Sequence, residues 1–140
     1  MSTERNKAVV RTFVDVVNQH EWRRLDDLLA VDFVRHSSTY GQPQIRSRER
    51  LRAFLVSESK TFSDAHETIH FLVAEGDMVA AHSGFHGTQS GPMGPFPPSS
   101  KTLSADFISI YRVVGGRIAE AWVEWDCLNG LIQLGHVAQE

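Results

Sequence analysis

One cysteine, Cys127, stands in 140 residues. A lone thiol excludes an internal disulfide and any paired-cysteine redox or zinc motif, and it reads as a small buried side chain. Long apolar runs are missing as well. The first thirty residues are charged and helical in pattern, with no leader-like apolar segment and no span of membrane length. A soluble, cytoplasmic protein with no membrane partner is expected. Positive charge is also short: 14 Lys and Arg against 17 Asp and Glu give a net charge of −3. Without a basic stripe, nucleic acid is not an expected partner. No dinucleotide fingerprint, haem motif or facial metal triad is visible. What remains is an ordinary globular composition, 41% hydrophobic and 22% charged. It suits one domain over residues 1–140, large enough for a core and a pocket.

The chain changes period half-way. From Glu4, Val9, Val10, Phe13, Val16 and Val17 recur at helical spacing to about Asn18. A shorter helix follows, with Trp22, Leu25, Leu28 and Leu29 on one face. The run "DFVRHSSTYGQPQ", Asp32 to Gln44, reads as a loop on its Ser, Gly and Pro content. Ser47 is placed to cap a third helix whose inner side is Leu51, Phe54 and Leu55. Beyond it the period falls to two. "HETIHFLVAEGDMVAAHSGFHG" predicts a hairpin, and "TLSADFISIYRV" with "RIAEAWVEW" predicts another around Gly115-Gly116. "SGPMGPFPPSS", Ser90 to Ser100, is a proline-stiffened loop suited to a fixed rim, with Met93 and Phe96 as apolar contacts. "CLNGLIQLG" closes as a short helix capped by Asp126. Helices followed by antiparallel strands predict an α+β fold, in which a curved sheet holds three N-terminal helices and encloses a pocket.

Pairing assigns the faces. If Ala74 meets Met78 across the first turn, then Val73, Phe71, Ile69 and Glu67 lie opposite Val79, Ala81, Ser83 and Phe85 on an apolar inner face. His70 with His82 and His66 with His86 then share the outer face. Opposite positions sit close enough for one ion, but two histidines with no carboxylate in their rows predict no metal site. In the second hairpin, pairing Val114 with Arg117 turns Ala121, Val123 and Trp125 inward with Ile110, Ile108 and Asp106. Glu120, Trp122 and Glu124 then face out with Tyr111, Ser109 and Phe107. Asp106 becomes the one inward acid of that hairpin. Trp125, Phe85, Phe54 and Tyr40 supply flat apolar walls for a polycyclic ligand, with Ser83 on the same inner face and Phe96 at the rim.

The segments "NKAVVRTFVDVVNQHEWRRLDDLLAVDFVRHSS", "LVAEGDMVA", "GPMGPFPPSSK" and "YRVVGGRIAEAWVEWDCLNGLIQLG" together resemble the SnoaL-like polyketide cyclase family of the NTF2-like superfamily, nearly end to end. The resemblance implies a cone of three helices on a curved antiparallel sheet, often dimeric through the sheet's outer face. Here that face would carry Trp122, Tyr111 and the histidines. It also implies cofactor-free intramolecular aldol closure of an anthracycline-like polyketide, by an aspartate in a Glu-His-Trp-Asp phrase on the last long strand. This chain has Glu120, Ala121, Trp122 and Val123 there, and a valine accepts no proton. Limonene-epoxide-hydrolase-like relatives use an Asp-Arg-Asp set whose last aspartate would also fall at Val123, so that chemistry is lost here as well. The resemblance places His36 on the pocket wall, where it joins Asp106 as a catalytic candidate.

Three functions follow from these residues. The first is a tailoring enzyme of antibiotic biosynthesis, similar to the hydroxylase-linked branch that lacks the cyclase aspartate. It would act without a bound cofactor on an aromatic polyketide, with Asp106 deprotonating a phenol and oxygen or a separate reductase completing the redox step. The second is an aldol cyclase whose base has moved to Asp106. The third is a non-catalytic module that binds a small molecule in the same cavity.

Overall fold

A computed structural model describes residues 2–139. Helix α1 (Thr3–Asn18) starts at Ser2, whose hydroxyl accepts from the Arg5 amide, and it buries Val10, Phe13, Val14 and Val16. A short 3-10 turn (Trp22–Arg24) and one turn of helix, α2 (Leu25–Leu28), bury Leu25. Helix α3 (Arg48–Thr61) begins where Ser47 accepts from the Arg50 amide, as the sequence predicts. Helix α4 (Cys127–Gln133) is capped by Asp126, which accepts from the Asn129 amide. No helix among the described residues is long and apolar enough to cross a membrane.

Five strands form one curved, unclosed sheet in the order β1-β5-β4-β3-β2. They are β1 (Leu29–His36), β2 (His66–Glu75), β3 (Met78–Thr88), β4 (Thr102–Val114) and β5 (Arg117–Trp125). The α+β class is the expected one. The sheet is mixed, however, because β1 runs parallel to β5, with Arg35 beside Ala121 and His36 beside Trp122. Residues from Leu29 to His36 therefore extend a sheet edge where helix end and loop were predicted. The core lies between α1, α3 and the concave face, around Val10, Leu29, Phe33, Val79, Tyr111 and Ile118.

Two bulges correct the predicted faces. The first turn has two residues, so Glu75 rather than Ala74 meets Met78. A bulge at His70 then restores the expected register, with Ile69 opposite Ser83, Glu67 opposite Phe85 and His66 opposite His86. As a result Phe71 and Val73 face solvent, at 56% and 59% exposure, while Leu72 and Ala74 pack on the core. In the second hairpin Val114 does meet Arg117, but a bulge at Ala119 slides β4 by one residue. Tyr111, Ser109 and Phe107 now lie opposite Ala121, Val123 and Trp125. A one-residue slip sends every side chain to the other face. Tyr111 is therefore buried rather than part of the outer surface, and Ile108 is 53% exposed rather than inward.

Candidate functional site

The concave face and the helices enclose a cavity of about 350 Å³, within the range of small-molecule sites. Its walls include Phe13, Phe33, Phe54, Phe85, Phe107, Val123 and Trp125. The expected walls Phe54, Phe85, Val123 and Trp125 thus meet in one place. Trp125 fits because residue 130 is a glycine: a Cβ there would stand 2.5 Å from the indole ring.

Four predicted residues lie elsewhere. Asp106 follows its strand to the convex face, where its side chain is 62% exposed and Oδ1 lies 3.2 Å from His70 Nε2. Asp106 still borders the cavity, but its exposed carboxylate is turned to His70. His36 also faces outward, because it neighbours Trp122 in the parallel pair. Its ring stacks on that indole at 5.3 Å, and Nε2 lies 2.6 Å from Glu120 Oε2. Tyr40 is 72% exposed on the loop after β1. Phe96 packs against His136 at 4.9 Å, leaving Met93 and Pro92 to border the cavity. Ser83 is on the inner face as expected and fully buried, beneath the cavity wall rather than in it.

Other polar groups occupy the cavity. Glu67 projects inward from β2. Burial raises its carboxyl to about 7, the nearby Ser83 hydroxyl offsets this in part, and Glu58 adds to the rise. Glu67 Oε2 is shielded from solvent and has no hydrogen-bond partner of good geometry; the same holds for Ser83 Oγ and Ser109 Oγ. The backbone of Glu67 is held at both its polar atoms. Asn18, the last residue of α1, donates from Nδ2 to the Glu67 carbonyl at 2.9 Å and accepts from the Glu67 amide at 2.9 Å. That pair closes the free edge of β2 with a side chain, and so fixes where the carboxylate enters the cavity.

Arg35 enters from β1. It is 8% exposed, its guanidinium lies 4.9 Å over the Phe54 ring, and Nη2 donates to Gln42 Oε1 at 3.0 Å. Nη1 is buried and unpartnered. Burial pulls the guanidinium down from its ordinary range, with Glu58, Tyr111 and Glu124 acting against that pull. Glu58 borders the same space. Surrounding protein pushes its carboxyl up and Arg35 draws it back, an upward push that the exposure of the side chain limits. Burial likewise raises the Tyr111 phenol. A carboxyl with one oxygen free and a guanidinium with one nitrogen free, in a largely apolar cavity, can move a proton and hold developing negative charge.

The rim loop is tied down. Gln89, fully buried, donates from Nε2 to the carbonyls of Gly91 and Pro97 at 3.1 and 3.0 Å, and its Oε1 lies 2.6 Å from His136 Nε2. Thr61 Oγ1 donates to the Pro92 carbonyl at 2.8 Å.

Among solved structures the chain is similar to IdmH, a candidate polyketide cyclase from Streptomyces antibioticus, at 26% identity and a TM-score of 0.82, covering 93% of this chain and 98% of that one. It is similar to TsrD from Streptomyces laurentii at 29% identity and 0.83, covering 98% and 99%. AclR, a candidate hydroxylase from Streptomyces galilaeus, shares the fold at 21% identity and 0.85, covering 99% and 86%. No curated protein matches the chain in sequence. The family model described as SnoaL-like polyketide cyclase matches residues 7–134, nearly the whole chain. With that match, the open five-stranded sheet and the cavity beneath it, the chain belongs to the SnoaL-like polyketide cyclase family.

Proposed function

We propose that this protein binds an aromatic polyketide in the 350 Å³ cavity and catalyses a cofactor-independent proton transfer of the aldol ring-closing type. Glu67 serves as the base and Arg35 as the oxyanion holder. The observation that carries this reading is the Glu67 carboxyl, raised to about 7 inside an apolar cavity and lacking a partner at Oε2. A base titrating near neutrality is deprotonated often enough to act and basic enough to take a proton from carbon beside a carbonyl. The enolate oxygen would rest against Arg35 Nη1, whose charge is desolvated and already oriented by Phe54 and Gln42. The carbanion adds to a second carbonyl of the same substrate. The resulting alkoxide takes back the proton held on Glu67, so the step is an isomerisation with no redox partner.

A hydroxylating reaction was expected because Val123 replaces the family's aspartate. Glu67 removes that reason, since the cavity keeps an acid on the same concave face, on the edge strand β2. Among the relatives, IdmH, a candidate polyketide cyclase, supports this direction, and AclR, a candidate hydroxylase, supports the tailoring alternative. The convex face, with Phe71, Val73 and Ile108 more than half exposed, supports a homodimer through the sheet, to be checked by light scattering. The functional test incubates the protein in D2O with polycyclic aromatic β-keto esters. Deuterium at the activated carbon and a ring-closed isomer are expected. Glu67→Gln should abolish both, while Asp106→Asn should keep turnover within about twofold of wild type, because an exposed carboxylate on the convex face touches no reacting atom. Full turnover in Glu67→Gln would remove the proposal.

A further inference from the structure

On the convex face, across the sheet from the cavity, three adjacent strands bring together two imidazoles and a carboxylate. His70 comes from the bulge of β2, His82 from β3 and Asp106 from β4. One ligand atom from each lies within 4.8 Å of the others, and His70 Nε2 is 3.2 Å from Asp106 Oδ1. In a tetrahedral zinc site with bonds of about 2.0–2.1 Å, neighbouring ligand atoms stand roughly 3.3 Å apart. One edge of that tetrahedron is therefore already formed, and small rotations of the exposed His70 and Asp106 side chains toward His82 would close the others. The two corrections to the predicted register create this set: the slip of β4 brings the carboxylate out, and the bulge moves His70 toward it.

The surroundings keep the space clear. Residue 84 on the central strand is glycine, and a Cβ there would come 2.8 Å from His70 Nε2 and 3.3 Å from Asp106 Oδ1. Phe71 stacks on His82 at 5.1 Å and 16°, which limits that ring's freedom, and the His70 and His82 rings are 5.3 Å apart. His82 Nδ1 is shielded from solvent and has no hydrogen-bond partner. A plain ion pair of His70 with Asp106 leaves that nitrogen unexplained.

We propose that His70, His82 and Asp106 form a binding site for a divalent transition metal, of which Zn²⁺ is the type, with water completing the tetrahedron. Two nitrogens and one oxygen select borderline cations over Mg²⁺ or Ca²⁺, which prefer all-oxygen shells. The ion ties β2, β3 and β4 together and so stabilises the sheet whose concave side carries the cavity.

The test is calorimetric titration of the metal-free full chain with Zn²⁺, and with Co²⁺ for its ligand-field bands. One ion per chain is expected, with four-coordinate Co²⁺ absorption and a rise in Tm at about 100 µM Zn²⁺. His70→Ala, His82→Ala and Asp106→Asn should each weaken binding at least about tenfold, while His66→Ala and His86→Ala leave it unchanged. Gly84→Ala keeps all three ligands but fills their space, and it should weaken binding too. Mg²⁺ should neither bind nor raise Tm. Absence of any heat or Tm change with Zn²⁺ overturns the site, as does binding that survives the three ligand variants or is lost equally in His66→Ala and His86→Ala.

Discussion

Replacing Glu67 by Gln should make the protein more stable at alkaline pH, although it removes the proposed catalyst. Burial lifts the carboxyl from the ordinary glutamate value of 4.5 to about 7. Its folded pKa is thus above its unfolded one, so the wild type is at its relative best below pH 4.5, where the group is protonated in both states. As pH climbs from 4.5 to 7 the unfolded chain loses this proton first and the folded state is penalised. The full penalty is present above pH 7 and amounts to about 3 kcal/mol, from 1.36 kcal/mol for each pH unit between the two values. Glutamine fills nearly the same volume and cannot ionise, so the variant lacks this slope. Glu58 is also raised, but it titrates in both proteins and largely cancels from their difference. The two proteins should therefore agree to within about 1 kcal/mol at pH 4.5, where a neutral acid is exchanged for an amide. At pH 9 the Gln variant should lead by about 3 kcal/mol, roughly 10 °C in Tm for a chain of this size. Thermal denaturation followed by circular dichroism at pH 4.5, 7 and 9, at constant ionic strength, reads this directly. Parallel curves for the two proteins across that range would refute a buried, raised Glu67.

Other expectations rest on other contacts. Arg35→Met keeps the packing on Phe54 but removes the charge, and should cost about 100-fold or more in kcat of ring closure, measured by product chromatography. Asn18→Ala leaves both Glu67 backbone groups without their partner at the edge of β2, and should cost about 1–3 kcal/mol in urea denaturation. The amide exchange of β2 should rise in the same variant. Gly91→Ala puts a Cβ 2.4 Å from the Lys60 carbonyl oxygen, a backbone atom that cannot swing aside. It should destabilise the protein by about 2 kcal/mol or more and loosen the rim loop to proteolysis.

The helices and turns were legible because their signals are local. Ser47, Asp126 and the Gly115-Gly116 turn stand where capping and hairpin chemistry require. The inward side of β5 was legible too: Ala121, Val123 and Trp125 alternate and line the cavity. The partner strand was misread because the bulge at Ala119 carries no glycine or proline to mark it, and one residue of slip exchanged Asp106 for Phe107 and Ser109. A sheet that must curve around a cavity takes such bulges at places fixed by closure rather than by local sequence. Glu67 had a visible signal, since even the simpler register placed it opposite Phe85 on an otherwise apolar face. An acid in that pattern reads as a strand end until the Asn18 contacts show it held inside. Arg35 gave less warning. Its strand lies at the sheet edge beside Ser- and Gly-rich loop sequence, and arginine in alternation ordinarily reads as solvent-facing.

The central claim is that the cavity acid is Glu67, titrating near neutrality. Carbon-detected NMR of the side-chain carboxyls, with Glu67→Gln used to assign the resonance, measures it without a substrate. The Glu67 signal should titrate with a midpoint near pH 7. A midpoint near 4.5, the value of an ordinary exposed glutamate, would contradict the account.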